Sequence, residues 1–422
     1  MTRHTFRPRV LAIIQAGGAG GRMDVLTRER AKPALPFAGV YQLIDFPLSN
    51  LAHSGVIDVW VSVQFQGSTL EEQVANGRPW DLDRNHGGLR LLPPQQGTGS
   101  LDEDGFAQGN ADELYRIRDQ IEEFAPDVLA VLSADHIYRL DFAEVVEAHL
   151  AAEAECTVVT TTVPVGDRAS DHAVVESEDG RVTRFDYKPD EPGTDVVATE
   201  VFLYDPAVLA TVLDELHVEL SRSQDADEGG EEGDTGLGDF GEHLLPRLVE
   251  RGRTVVYPLD GYWRDLGQPH LYLRAHHEVL SDDLGVFAEP GWPILTRQPQ
   301  RIPARVLDGG SVSESLLSPG CRIAGTVRRS VLGPGVVVEA GAEVHDSVVA
   351  ADSVILAGAQ VCWSLVDTGC VIGADAALGS PQDPGEAALD DPDLITIVGR
   401  DSTVDGGVRL APGSRLEPGT TA

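Results

Sequence analysis

The stretch VLAIIQAGGAGGR, residues 10–22, sets an apolar run directly before four glycines and an arginine. Five apolar residues in succession, bounded by glycine, are typical of a buried strand, and a membrane span needs about 18 residues. We therefore expect a strand and not a signal sequence. Glycines after a strand let the backbone approach a ligand and turn its N–H groups toward an anion. The stretch predicts a strand that ends in an anion-binding loop.

Further strand and helix patterns alternate up to about residue 165. VWVSVQF (59–65), DVLAVLS (127–133) and CTVVTTTV (156–163) predict strands, whereas ADELYRIRDQIEEF (111–124) and FAEVVEAHLAAEA (142–154) predict helices. This alternation indicates an α/β fold with a mostly parallel, Rossmann-like sheet. Ligands of such sheets bind beyond the carboxyl ends of the strands.

The C-terminal part of the chain carries a different repeat. SLLSPGCRI, SVLGPGVVV, SVVAADSVI and SLVDTGCVI begin at Ser315, Ser330, Ser347 and Ser364, and aliphatic residues recur every six positions within the later ones. Three such hexapeptides make one triangular coil, and stacked coils form a left-handed parallel β-helix. An irregular β-sandwich would instead require alternation at period two and turns every 8 to 12 residues, roughly.

These patterns predict the domain organisation. We expect a catalytic α/β domain over residues 1–282, a proline-bearing linker over 283–304, and the β-helix over 305–422. The segment SRSQDADEGGEEGDTGLG, residues 221–238, is acidic and glycine-rich, which predicts a mobile loop.

The composition excludes several classes of protein. The chain has 32 Lys and Arg against 68 Asp and Glu, a net charge of −36 that repels nucleic acid and anionic membranes. We therefore expect neither partner, a soluble cytoplasmic protein, and a local basic pocket for any anionic ligand. The cysteines lack CxxC spacing, which favours buried free thiols over a zinc site or disulfides; they are Cys156, Cys321, Cys362 and Cys370.

The candidate phosphate site lies in the opening stretch. Its glycines are not a Rossmann fingerprint, which requires a third glycine at fixed spacing, nor a Walker loop, which requires Gly-Lys-Ser/Thr. Two cations, Arg22 and Lys32, follow closely and could neutralise a polyphosphate held on the loop. The predicted nucleotide-binding glycines are Gly17, Gly18, Gly20 and Gly21.

The candidate metal site uses two acids that are distant in sequence. Asp135 follows a predicted buried strand in VLSADHIYRLD, and Asp265 stands in YWRDLG. A carboxylate at the carboxyl end of a strand is a suitable Mg²⁺ ligand, although either acid could instead cap a helix or a turn. We interpret His136 as structural. Lys188, before proline in FDYKPD, could meet another phosphate or be an ordinary surface lysine.

Together these groups predict phosphoryl or nucleotidyl transfer. A sugar 1-phosphate is already an ionised nucleophile, so its attack needs positioning and charge neutralisation but no strong base. In-line attack at the α-phosphorus of a nucleoside triphosphate would expel pyrophosphate. A divalent metal on Asp135 and Asp265 would stabilise the charge that develops.

Six motifs bear on the family of the chain: AGGAGGRMDVLTRERAKPALPF, LIDFPLSNLAHSGV, LLPPQQG, SADHIYRLDF, DFGEHLLPRL and YWRDLG. Together with the hexapeptide repeats, they closely resemble the bacterial ADP-glucose pyrophosphorylase (glucose-1-phosphate adenylyltransferase) family. The resemblance implies a Mg²⁺-dependent homotetramer that makes ADP-glucose and pyrophosphate from ATP and glucose 1-phosphate for glycogen synthesis. It implies catalytic roles for Arg22, Lys32 and Asp135, and metal binding by Asp135 and Asp265. The remaining implied residues are Gln95 and Gly109 for the nucleotide, and Lys188, Asp239, Phe240 and Trp263 for the sugar phosphate.

The chain also departs from the family pattern. Ala107 stands where the family has a tyrosine, and Asp171-His172 replaces the family's FG. Tyr187 replaces the glutamate of the family's EKP, and Ala198-Thr199-Glu200 replaces its SMG. All these changes lie on the sugar and nucleoside side, so two alternatives stay open: another sugar 1-phosphate as substrate, or a non-catalytic regulatory paralogue in a mixed oligomer. Glu29 stands where the family has an activator-binding lysine, which predicts weaker binding of a phosphorylated activator.

Overall fold

The computed structural model describes residues 8–18, 20–93, 107–164, 167–224, 236–281, 284–287, 289–379, 387 and 389–422. The strands before residue 300 are β1 Val10–Ala16, β2 Pro36–Phe37, β3 Tyr41–Gln42, β4 Asp58–Val63, β5 Gly88–Leu92, β6 Val128–Ser133, β7 His136–Tyr138, β8 Cys156–Thr162, β9 Ala173–Glu178, β10 Arg181–Tyr187, β11 Val196–Tyr204, β12 Thr254–Pro258 and β13 Trp263–Asp265. The α-helices are α1 Asp45–His53, α2 Gly67–Val74, α3 Asn110–Phe124, α4 Phe142–Ala151, α5 Pro206–Gln224, α6 Leu244–Glu250 and α7 Pro269–Val279. Short 3-10 helices include Gly21–Thr27, Lys32–Ala34, Ala75–Trp80, Ala169–Asp171 and Pro392–Leu394.

The main sheet confirms the α/β prediction. Its strand order is β5-β4-β1-β6-β11-β8-β12-β10-β9. The strands β5, β4, β1 and β6 are parallel, and β12 is parallel to β8, while β11 runs antiparallel between β6 and β8. Gln15 of β1 pairs with Ser133 of β6, so the carboxyl ends of these two strands lie side by side.

Helices cover both faces of this sheet. In β1, Ala12 and Ile14 belong to a core shared with α1, α2 and α4, whereas Leu11 and Ile13 belong to a second core shared with α3, α5 and α6. All four side chains are fully buried. Burial on both faces is the reason that β1 reads as a continuous apolar run instead of an alternating pattern.

The C-terminal part is a parallel β-helix, as the hexapeptide repeat predicts. Three six-stranded parallel sheets, β14-β17-β20-β23-β26-β29, β15-β18-β21-β24-β27-β30 and β16-β19-β22-β25-β28-β31, form its faces. The strands are β14 Arg305–Val306, β15 Ser311–Ser313, β16 Leu316–Leu317, β17 Arg322–Ile323, β18 Thr326–Arg328, β19 Val331–Leu332, β20 Val337–Val338, β21 Glu343–His345, β22 Val348–Val349, β23 Val354–Ile355, β24 Gln360–Cys362, β25 Ser364–Val366, β26 Val371–Ile372, β27 Ala377–Leu378, β28 Thr396–Val398, β29 Thr403–Val404, β30 Arg409–Leu410 and β31 Arg415–Leu416.

The six-residue period places one aliphatic side chain per face in the interior. Val338, Ile355 and Ile372 stack in register on successive coils, and each is fully buried. Leu410 and Leu416, near the end of the stack, are only partly buried because fewer coils cover them.

A column of serines accounts for the recurring first residue of the repeat. The backbone N–H of Ser330 donates to Ser315 Oγ, that of Ser347 to Ser330 Oγ at 3.2 Å, and that of Ser364 to Ser347 Oγ at 3.1 Å. Each hydroxyl thus satisfies a buried N–H on the next coil, which the strand ladder leaves free.

Two expectations need adjustment. Residues 221–224 of the predicted mobile acidic loop form the end of α5, and Leu237 near its other end is fully buried; residues 225–235 lie outside the described part. The four cysteines are free, as predicted, but Cys362 is only partly buried. Within the described ranges, no helix combines the length and the apolar character that crossing a bilayer requires.

The α/β part and the β-helix share an apolar core. Met23, Val25 and Phe37 belong to the same buried cluster as Trp363 and Ile397 of the β-helix. The segment that follows the glycine-rich loop therefore packs directly on the β-helix.

The serine column gives a stability test. Ser347→Ala should lower the free energy of unfolding by about 1–3 kcal/mol, because it leaves the buried Ser364 N–H without an acceptor. Thermal or denaturant unfolding would measure the change. Ser311→Ala, at an exposed strand residue, is the matched control and should have little effect. Equal stability of the two variants would contradict this role for the column.

Candidate active site

The glycine-rich loop leaves β1 at the carboxyl edge of the sheet. Gly17 lies against Gln64, because a Cβ at Gly17 would come within 2.8 Å of Gln64 Nε2. Gly20 has a φ of 66°, and a Cβ there would meet Thr27 and Lys32 at 3.2 and 3.3 Å. Gly17 and Gly20 therefore have little room for a side chain.

The other two glycines are open. Gly18 and Gly21 are exposed, and a Cβ at either would have no heavy atom within 4 Å. Their lack of side chains leaves the backbone N–H groups accessible, which is the property that an anion-binding loop needs.

Lys32 lies at the centre of the site. Its Nζ forms an ion pair with Asp135 Oδ2 and lies 3.7 Å from Asp265 Oδ1. Burial works to lower the pKa of Lys32, but the charges of both carboxylates raise it above the ordinary value, so the side chain stays protonated. The positive charge of the exposed Arg22 acts on the same ammonium group in the opposite direction.

Backbone pairing brings Asp135 and Asp265 together. Asp135 stands between β6 and β7, and β7 pairs antiparallel with β13, so that Asp265 is opposite His136. Asp135 Oδ1 and Asp265 Oδ1 each lie 3.6 Å from His136 Nε2. The ligand atoms of these three residues all lie within 4.8 Å of one another. Two carboxylates and an imidazole form a donor set that suits a divalent cation.

The electrostatics keep Asp135 ionised. Burial alone would favour its neutral form, but the positive charges of Lys32 and His136 hold the pKa of Asp135 well below its ordinary value. The carboxylate is therefore ready to bind a cation at physiological pH.

His136, which we interpret from the sequence as structural, lies within this cluster. Nδ1 is hydrogen-bonded to the Thr199 carbonyl at 3.0 Å, and the ring packs edge-on against Trp263. Nε2 faces the carboxylates. Burial opposes the protonation of His136, but the neighbouring acids raise its pKa.

Glu200 is a third acid beside Asp135 and Asp265, and the sequence motifs gave it no role in the site. Its Oε2 lies 3.8 Å from His136 Nε2, and its backbone has a φ of 55°. Burial and the charges of Asp135 and Asp265 raise the pKa of Glu200. The signal in the sequence was the replacement of SMG by Ala198-Thr199-Glu200, since glycine tolerates a positive φ.

The residues predicted for the sugar phosphate form a neighbouring group. Tyr187 donates its phenolic hydrogen to Asp239 Oδ2 at 2.9 Å and accepts a hydrogen bond from Lys188 Nζ at 3.1 Å. The ring covers Gly241, where a Cβ would come within 2.3 Å of it. Tyr187 thus joins Lys188 to Asp239 and occupies space beside both.

The two predicted aromatic residues are mostly buried. Phe240 packs edge-on against Phe202, and Trp263 lies between the rings of His136 and His172, with centroids 5.3 Å from each. Trp263 is 2% exposed and Phe240 7% exposed, so both mainly support the polar side chains around them.

The predicted nucleotide side is held by a buried polar network. Gln15 Nε2 donates to Glu113 Oε2 and to the Asn110 carbonyl, both at 2.9 Å, and Gln64 Oε1 accepts from the Ala107 N–H at 3.2 Å. The sequence motifs gave no role to Gln15, Gln64 or Glu113, because these residues do not occur at a spacing that is typical of a binding site.

Gly109 begins α3 in very close contact with Gly238. A Cβ at Gly109 would lie 2.3 Å from the Gly238 backbone, whose carbonyl accepts the Ala111 N–H. Gly109 is therefore required by packing, whatever it binds. Gln95, the other residue predicted for the nucleotide, lies outside the described ranges.

Comparisons with known proteins agree with this arrangement. Residues 11–282 match the family described as nucleotidyl transferase, and residues 302–388 match the family described as GlmU-like, C-terminal hexapeptide. A glucose-1-phosphate adenylyltransferase of Thermomicrobium roseum is 37% identical over 97% of this chain and 93% of its own length. Proteins of the same name from Acetivibrio thermocellus and Fervidobacterium nodosum are 30% and 31% identical, over 99% and 95% of this chain and 95% and 93% of their own lengths.

The buried network gives a pH-dependent prediction. Burial is the main cause that raises the pKa of Glu113 from 4.5 to about 7. The folded protein therefore holds a proton on Glu113 that the unfolded chain releases between these values, so the free energy of unfolding falls as pH rises through that window. Glu113→Gln should remove about 2–3 kcal/mol of this fall between pH 5 and 8.

Denaturant unfolding at several pH values would test this expectation. Glu122→Gln, on the exposed side of the same helix, is the matched control and should keep the pH dependence of the unmodified protein. A Glu113→Gln variant with that same pH dependence would contradict the assignment.

Proposed function

Because the chain belongs to the glucose-1-phosphate adenylyltransferase family, we propose that it makes ADP-glucose and pyrophosphate from ATP and glucose 1-phosphate. The observation that carries the proposal is the position of Lys32, Asp135 and Asp265 beside the glycine-rich loop at the carboxyl edge of the sheet. Phosphoryl chemistry needs charge neutralisation at this edge, and these residues supply it.

Asp135 and Asp265 would hold Mg²⁺, with the Nε2 face of His136 adjoining them. The bound metal would neutralise charge on the α-phosphate and the leaving pyrophosphate. Lys32, protonated and already within reach of both carboxylates, would exchange part of this pairing for the phosphate oxygens.

The loop and its neighbours would bind ATP. The open N–H groups at Gly18 and Gly21 would face the triphosphate, Gly17 and Gly20 would keep the backbone close, and Arg22 would add a positive charge. Gly109 would lie on the nucleoside side, and the family resemblance implies a nucleotide contact for Gln95.

Lys188 would bind the phosphate of the sugar, since its ammonium group is exposed and the Tyr187 hydroxyl orients it. Asp239 would accept hydrogen bonds from sugar hydroxyls, supported by Phe240 and Trp263. The sugar phosphate is ionised at neutral pH, so this scheme assigns no residue as a general base.

The same proposal covers the biological context. ADP-glucose would supply glucosyl units for an α-glucan such as glycogen. The enzyme that makes it would be a cytoplasmic homotetramer or a mixed oligomer with a paralogue. Glu29 is exposed, and its negative charge at the position of the family's lysine should weaken binding of a phosphorylated activator.

A second candidate function is the same transfer to another sugar 1-phosphate. The observation that favours it is Tyr187, which fills space beside Asp239 and already uses one of its oxygens. A regulatory paralogue is disfavoured, because a protein without turnover has no need to keep Lys32 between two carboxylates.

Turnover would be tested by pyrophosphate release from a panel of nucleoside triphosphates and sugar 1-phosphates with Mg²⁺. We expect ATP with glucose 1-phosphate to react, and Asp135→Asn to lower kcat by about a hundredfold or more. Asp179→Asn, at an exposed turn, is the control and should keep full activity. Silence across the whole panel would leave only the regulatory function.

The sugar side can be tested separately. Tyr187→Phe removes the hydroxyl that orients Lys188 and Asp239, so it should raise KM for the sugar 1-phosphate by about tenfold and leave KM for ATP unchanged. Tyr257→Phe, which loses a surface hydroxyl contact to Glu144, is the control. An equal rise in both KM values would contradict a role confined to the sugar.

A further inference from the structure

Among the described residues, three ion pairs tie the segment between the glycine-rich loop and Lys32 to the β-helix: Asp24 with Arg415, Arg28 with Glu417, and Arg30 with Asp367. Asp24 Oδ2 accepts a hydrogen bond from Arg415 Nε at 2.6 Å, across 391 residues of sequence. Arg30 donates from its NH1 group to Asp367 Oδ1 at 2.9 Å, across 337 residues. The attachments therefore lie on both sides of Thr27.

The guanidinium of Arg415 is held in place by the β-helix itself. Its NH1 group donates to the carbonyls of Ile395 and Gly413 at 2.6 and 2.9 Å, and its NH2 group donates to that of Pro392 at 3.0 Å. These hydrogen bonds occupy the two terminal nitrogens of the guanidinium group, and the Nε–H donates to Asp24. A planar guanidinium with several fixed donors is a rigid anchor, because little side-chain freedom is left to lose.

Asp24 needs such an anchor because of its backbone. It has a φ of 57° and a ψ of −133° within the 3-10 helix Gly21–Thr27. Residues with a side chain rarely adopt this conformation, and they keep it only when surrounding contacts enforce it. The Arg415 hydrogen bond to the Asp24 carboxylate is such a contact.

The conformation of Asp24 is transmitted to the phosphate loop. Thr27 Oγ1 donates to the Gly20 carbonyl at 2.9 Å and lies 3.3 Å from the Asp24 carbonyl. Gly20 in turn packs on Thr27 and on the Cβ of Lys32. A change at Asp24 would therefore shift both the glycine backbone and Arg22, two residues before it.

We propose that Arg415, on the last strand of the β-helix, is a positioning residue for the triphosphate. By fixing Asp24, it sets the backbone of Gly20 and Gly21 and the direction of Arg22 toward the phosphates. The β-helix thus completes the ATP site without touching the substrate. This inference rests on the proposed function, which makes a triphosphate the ligand of the loop.

A purely structural ion pair would behave differently. The Asp24 and Arg415 side chains are 31% and 23% exposed, and an ion pair of that exposure contributes little to global stability. If the pair serves only to attach the two parts of the protein, its loss would lower the melting temperature at most slightly and leave substrate binding unaltered.

The test compares Arg415→Gln and Asp24→Gly with Arg409→Gln, a control at an exposed arginine on the preceding strand β30. Arg415→Gln should raise KM for ATP by about tenfold and leave KM for the sugar 1-phosphate unchanged. Asp24→Gly should raise KM for ATP less, because glycine adopts the backbone conformation of Asp24 without strain and needs no enforcing contact. In the Asp24→Gly background, Arg415→Gln should add little, since the contact that it removes is already lost.

Two further measurements need no turnover. Hydrogen exchange of residues 20–30 and calorimetry with Mg²⁺-pyrophosphate should show faster exchange and weaker binding in Arg415→Gln than in Arg409→Gln. An unmodified protein that does not react with ATP would contradict the proposed function, whereas these two measurements would still decide on Arg415. Equal exchange and equal affinity in the two variants, or a lower Tm with unchanged KM values, would overturn the inference.

Discussion

The ion pair between Lys32 and Asp135 is the interaction on which the site depends. Both side chains are mostly buried, and the opposite charge of each stabilises the ionised form of the other. The pair joins the end of the glycine-rich segment to the end of β6. It thereby fixes the distance between the predicted triphosphate loop and the predicted metal site, and Asp265 and His136 complete the group.

Two features of backbone pairing make this ion pair possible. The parallel register of β1 with β6 places both strand ends at one edge of the sheet, and the small β7–β13 ladder brings Asp265 to the same place. A strand ladder is a rigid support, so the carboxylates are held by backbone hydrogen bonds and not only by their own side-chain conformations. Such preorganisation is what electrostatic catalysis requires, because little reorganisation remains for the moment of reaction.

The sugar side is built on different principles. There Tyr187, Lys188 and Asp239 satisfy one another, and the aromatic residues behind them are buried. Glu200 acts on both groups, because its negative charge contributes to the raised pKa of Tyr187 and also to that of His136. The side predicted to bind phosphate and metal thus keeps the motifs of the family, and the departures from those motifs lie on the side predicted to bind the sugar.

The fold was largely readable from the sequence because it depends on local periodicity. An apolar run before glycines marks β1, and a period of six residues marks the β-helix. The motifs also singled out Arg22, Lys32, Asp135 and Asp265, and the structure brings Lys32, Asp135 and Asp265 together, while the roles of all four stay a prediction. The end of α5 at residues 221–224 was missed, because these four residues are neither acidic nor glycine and the acidic, glycine-rich run begins only after them.

The sequence by itself thus determined the alternation of strands and helices, the hexapeptide repeat, and the chemical types present at the site. Only the tertiary structure decided which groups meet: that Lys32 lies between two carboxylates, that Glu200 joins them, that Tyr187 binds Asp239, and that Arg415 reaches Asp24. The physical reason is that these contacts link residues far apart in the chain. Their distances follow from strand register and from the packing of the β-helix on the sheet domain, and neither leaves a periodic signal in the sequence.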